Sequence, residues 1–125
     1  MAAGSAGLHE PADQLDAGTL DRHRALVSIM EELEAVDWYA QRVDAAGDGE
    51  LAAVLAHNRD EEKEHAAMTI EWLRRNDAKF DEHLRTYLFT EGPITGIEAA
   101  AEAGADASGR SGSLGIGSLR DHGAA

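Results

Sequence analysis

Helical spacing brings Glu62 and His65 onto one face, in the run Glu62-Lys63-Glu64-His65. Carboxylate and imidazole side by side can hold a transition metal or exchange a proton. Seam positions along this stretch, at alternating steps of four and three, are Leu51, Leu55, Asn58, Glu62, His65, Thr69 and Trp72. The seam is apolar at its ends and polar in its middle. A carboxylate on a core seam is costly unless it is paired or bound to a cation. An earlier stretch supplies Glu32, beside Leu33 and near the middle of its own apolar stripe.

The chemistry needs scaffolding, and the apolar pattern supplies it. Residues 19–46 contain no glycine or proline, and Leu26, Ile29, Leu33, Val36, Ala40 and Val43 recur at steps of three and four. This predicts one helix, with Thr19 as its N-cap and Gly47 as its C-terminal glycine. Asp48 is placed to cap a second helix running to about Asn76. So short a connection folds the two back antiparallel. A third, short helix starts at an Asp77 cap and carries Phe80, Leu84 and Leu88. Residues 1–18 read as a mobile arm, 19–95 as the helical hairpin domain, and 96–125 as a flexible tail rich in Gly, Ala and Ser. Ala99–Ala101 is the tail's one helix-prone run. The stretch Ser113-Leu114-Gly115-Ile116-Gly117-Ser118-Leu119-Arg120 interrupts it with three branched aliphatics, which read equally as chance hydrophobicity in a linker or as a short docking motif.

Two helices and an appendage leave an apolar face uncovered in so short a chain. The fold class is therefore all-α: an antiparallel two-helix hairpin plus a short C-terminal helix, dimerising into a four-helix bundle. The ligand count agrees. A dinuclear carboxylate bundle takes two lone Glu and two Glu-x-x-His pairs. This chain has one Glu-x-x-His, and no other histidine has Glu three positions earlier. A two-metal site therefore needs a second copy of the chain. Iron, manganese or a redox-inert divalent ion all suit such ligands.

Composition narrows the alternatives. Twenty-four Asp+Glu against eleven Lys+Arg give a net charge of −13, which repels nucleic acid and gathers cations. The absence of cysteine excludes disulfides, thiolate metal sites and thiol catalysis. No apolar run is long enough for a membrane span, and no secretory signal is visible, so a cytoplasmic location is expected. Trp38 and Trp72 read as core residues.

Three stretches carry a family resemblance. Arg22-His23-Arg24 through Met30-Glu31-Glu32-Leu33-Glu34-Ala35-Val36-Asp37-Trp38-Tyr39 resembles the encapsulated ferritins. So does His57-Asn58-Arg59-Asp60-Glu61-Glu62-Lys63-Glu64-His65-Ala66-Ala67-Met68, followed by Glu71-Trp72-Leu73-Arg74-Arg75. The tail Gly115-Ile116-Gly117-Ser118-Leu119 is similar to the peptide that docks cargo inside encapsulin shells. The resemblance implies two-helix protomers paired into a ferritin-like bundle, and dimers assembled into a ring, typically a decamer. It implies a ferroxidase site across the dimer interface, built from Glu32, Glu62 and His65 of both subunits, with Tyr39 a near neighbour and two irons per dimer. It further suggests metal entering at Glu31 and Glu34; by spacing alone, His57 and Glu61, one turn apart, could form a weaker external site with Glu64. For Glu31 and Glu34 a solvated acidic face is an equal reading, and for His57, Glu61 and Glu64 opportunistic ion binding by an exposed His/Glu pair is the plainer one. The implied location is inside an encapsulin nanocompartment, with the shell protein as partner through residues 113–120. Two other readings fit the same residues: a metal-binding module without turnover, or an oligomerisation module that displays a docking tail.

Overall fold

A computed structural model describes residues 7–112 of the 125. Among them are α-helices and a 3-10 turn at Ala12–Gln14, with no strand. We number the helices α1 (Ala17–Ala45), α2 (Gly49–Asn76), α3 (Ala78–Tyr87) and α4 (Ile94–Gly112). The proposed docking motif at 113–120 lies outside the described residues. The chain divides into two compact units, with the boundary between Leu73 and Arg74.

In the first unit, Asp16 and not Thr19 caps α1. The Asp16 carboxylate accepts the Thr19 backbone N–H at 2.6 Å, so Thr19 is the capped residue and not the cap. Gly18 sits in the first turn, where helix N–H groups lack intrahelical partners and a glycine interrupts little. The expectation at the other end also changes. Ala46 closes α1 in an extended conformation, donating its N–H to the Arg42 carbonyl at 2.9 Å. Gly47 does not adopt a left-handed cap; among the described residues positive φ occurs only at Phe89 and Gly92. Asp48 caps α2 as expected, its carboxylate accepting the Leu51 N–H at 2.8 Å.

The three-residue connection returns α2 along α1. Asp21, Arg24, Ala25 and Ser28 line one groove with Met68, Thr69 and Trp72, which sets the start of α1 against the end of α2. The seam between them is thin. Among the described residues the buried apolar side chains are Ala25, Ala66 and Leu73. Large members of the expected stripes stay open: Leu33 is 52% exposed and Leu51 50%. Val54, Met68 and Trp72 add to this open apolar surface. The hairpin has helices of the right period but little interior of its own.

In the second unit, Asp77 caps α3 by accepting the Phe80 N–H at 3.0 Å. One turn on, Asp81 accepts from Arg85 Nε at 2.8 Å and also from Arg74. These bonds hold its carboxyl below the usual carboxylate range, Arg74 contributing most. Leu88 ends α3, and Phe89 takes φ +60°, an uncommon conformation for a bulky residue.

Residues 96–112, expected from the sequence as part of a flexible tail, are helical in α4, and α4 touches α3. The Pro93 carbonyl starts the helix by accepting from Gly96 and Ile97 at 3.0 and 3.2 Å. Alanine carries the highest helix propensity and recurs through this segment. Because nearly every residue of 94–105 is exposed, no apolar stripe announces the helix in the sequence.

Candidate metal centre

Local helix geometry assembles the centre's first pair. Glu62 and His65 lie one turn apart on α2, and Glu62 Oε1 sits 2.9 Å from His65 Nδ1. That hydrogen bond raises the His65 pKa above its ordinary 6.5. Partial desolvation opposes the rise, and the charges of Glu62, Glu61 and Glu32 add to it. A proton on His65 thus occupies a position that three carboxylates make attractive to any cation. The carbonyl of His65 also accepts the Thr69 hydroxyl at 3.0 Å, tying the histidine to the next turn.

The third residue comes from α1. Glu32 is half-buried, and its Oε2 atom is shielded from solvent with no hydrogen-bond partner. A buried carboxylate oxygen left unmatched costs free energy unless a proton or metal ion meets it. Hard oxygen donors next to an imidazole suit iron or manganese. Among the described residues, however, no three acidic or histidine side chains of one chain converge to hold an ion. One chain supplies a pair and an unmatched oxygen, which by themselves fall short of a three-ligand set.

The other sequence candidates are placed differently. Tyr39 is half-buried on α1, seven residues after Glu32, which is about 10 Å along the axis. The Arg42 guanidinium lies over its ring, 5.4 Å from the centroid. Sequence reasoning missed this contact, although the three-residue spacing of two such side chains could have revealed it. His57 Nε2 and Glu61 Oε1 pair at 3.3 Å on α2, with His57 well exposed. Glu64 and Glu31 are exposed and Glu34 is half-buried. Among the described residues, neither set gathers into a three-ligand cluster.

The hairpin and its carboxylate–histidine pair define an all-α protein of the ferritin-like class. The EncFtn-like family profile matches residues 7–91, and the chain belongs to that family. It is 67% identical to the encapsulated ferritin-like protein of Rhodospirillum rubrum, over 96% of this chain and 92% of that protein. An encapsulin nanocompartment cargo protein, EncC of Myxococcus xanthus, is 34% identical over 75% of this chain and 80% of its own length. Among solved structures, protein ne0167 from Nitrosomonas europaea is similar with a TM-score of 0.69 and 61% identity. That match covers 70% of this chain and 97% of the other.

Proposed function

We propose that this chain is a ferroxidase that oxidises Fe(II) to Fe(III) at a di-iron site shared by two copies, as cargo of an encapsulin nanocompartment that stores iron. The observation that carries this reading is the unmatched Glu32 Oε2, whose charge also acts on His65 of the Glu62–His65 pair. Two copies would contribute two Glu32, two Glu62 and two His65, the full donor set of a dinuclear carboxylate bundle. The open apolar surface at Leu33, Leu51, Val54, Met68 and Trp72 supports pairing, because a second copy would cover it. A ring of dimers, a decamer, follows from the family resemblance.

Fe(II) is the substrate, and two such ions give dioxygen or peroxide one electron each. The chain's own groups bind and neutralise. Glu32 and Glu62 offset the ions' charge, and His65 becomes a ligand once its proton leaves to solvent. Acidic side chains, twenty-four against eleven basic ones, draw cations toward the surface. Glu31 and Glu34 are candidates for the entering route, and His57, Glu61 and Glu64 for an external ion. Tyr39 would face the site from the same side of α1 as Glu32. The names of the relatives support residence within an encapsulin shell, with residues 113–120 as the docking segment.

Initial rates of Fe(II) oxidation under air test the assignment. Glu62→Ala or His65→Ala should lower the rate by more than about tenfold, the scale on which even outer partners of metal ligands act. Equal rates in substituted and native protein would refute the site. Removing residues 113–120 should leave oxidation intact and end co-purification with a shell protein. A second reading, metal binding without turnover, draws on the way Glu62 and His65 satisfy each other unaided. It predicts stoichiometric Fe(II) binding that saturates with no catalytic oxidation.

A further inference from the structure

Arg42 takes an aromatic ring as its partner. The chain carries more than twice as many acids as Lys and Arg together. Arg24, Arg59, Arg74 and Arg85 all pair with aspartates. Arg42 makes no carboxylate pair among the described residues; its guanidinium lies over the Tyr39 ring. Its backbone is anchored in the last turn of α1, where its carbonyl accepts the Ala46 N–H at 2.9 Å. A cation at a helix C-terminus is also favoured by the helix dipole. The guanidinium is therefore placed by its contact with the ring, at a helix end that favours a cation.

We propose that Arg42 is a positioning residue for Tyr39, fixing the ring and making it harder to oxidise. This rests on the reading that Fe(II) oxidation takes place on the same face of α1. The reduction of dioxygen produces oxidants, peroxide among them, close to an electron-rich phenol. Oxidising Tyr39 sends one electron to the oxidant and the phenolic proton to water, leaving a neutral tyrosyl radical. A guanidinium over the ring stabilises the intact π system and opposes the loss of that electron. The residue that shares the Glu32 face is then kept reduced while the metal ions turn over. Exposed cation–π contacts are modest, so the protection should be roughly two- to fivefold in rate.

The test uses the metal-free full-length protein, so its outcome does not depend on ferroxidase activity. Tyrosines are oxidised with photogenerated ruthenium(III) and persulfate, and products are mapped by peptide mass spectrometry. Tyr87, in the other compact unit, serves as the internal reference. Arg42→Met and Arg42→Gln, neutral and of similar reach, should each raise the Tyr39-to-Tyr87 product ratio roughly two- to fivefold. Arg42→Lys, which keeps the charge, should stay close to the native ratio. The proposal is overturned if both neutral variants match native protein. It is equally overturned if Arg42→Lys rises as far as Arg42→Met, since charge would then not be the cause. Far-UV circular dichroism of each variant checks that α1 stays intact.

Discussion

Glu62 Oε1 and His65 Nδ1 share a hydrogen bond of 2.9 Å across one turn of α2, and the bond favours the imidazolium. Glu62→Gln removes the charge and most of that preference. The His65 titration in metal-free protein, followed by proton NMR, should shift to lower pH than in native protein. An unchanged midpoint would mean that Glu62 is not the cause. The linkage has a definite direction. A raised histidine pKa contributes stability that is fully present below pH 6.5 and lost as pH rises through the folded value. Fe(II) must displace the same proton, so its binding should tighten as pH rises through that window.

Glu32 carries a cost in the metal-free chain that an apolar residue would not. Its unmatched Oε2 makes Glu32→Leu a stabilising substitution, by about 1 kcal/mol, the low end for relieving an unsatisfied buried polar group. Chemical denaturation of metal-free native and substituted protein measures this. The same variant should show no added stability when Fe(II) is supplied anaerobically, whereas native protein should. A variant less stable than native without metal would contradict the assignment of strain to this carboxylate.

Leu73 is 2% exposed, the most buried large side chain among the described residues. Leu73→Ala should cost about 2–5 kcal/mol through lost burial and a residual cavity. Met68, at 65% exposed, offers the contrast. In an isolated hairpin Met68→Ala should change stability little. If a second copy covers that surface, the substitution should weaken dimers, and sedimentation velocity at several protein concentrations will reveal it.

Asp81 gathers Arg74 and Arg85, and its carboxyl is held below the ordinary 3.8. A depressed carboxylate pKa contributes stability that is present above the unfolded value and lost as pH falls through the folded one. Native protein should therefore lose helix at the α3 end below about pH 4. Asp81→Asn should be weaker at neutral pH and lose less on acidification. Equal acid sensitivity in the two proteins would remove Asp81 from the account.

What the sequence determined by itself was the local part. The Asp48 and Asp77 caps, the end of α2 at Asn76 and the Glu62–His65 pair all depend on atoms within four residues of one another. Spacing is sufficient there, because a helix converts three or four positions into adjacency. A second copy is an expectation of the same reading, from a lone Glu-x-x-His pair and an apolar face too large for so short a chain. Other features were local yet misread. Thr19 looked like a cap, and Gly47 like a left-handed terminus, because each residue type favours that role. Asp16 and an extended Ala46 took those places. The α4 helix was hidden because an exposed alanine-rich segment has propensity but no periodicity. The packing of α2 on α1, and no local pattern, leaves Glu32 Oε2 shielded and unmatched and much of the predicted stripe open. Burial is a property of how α2 lies against α1. No sequence window on either helix contains the atoms that exclude water from the other.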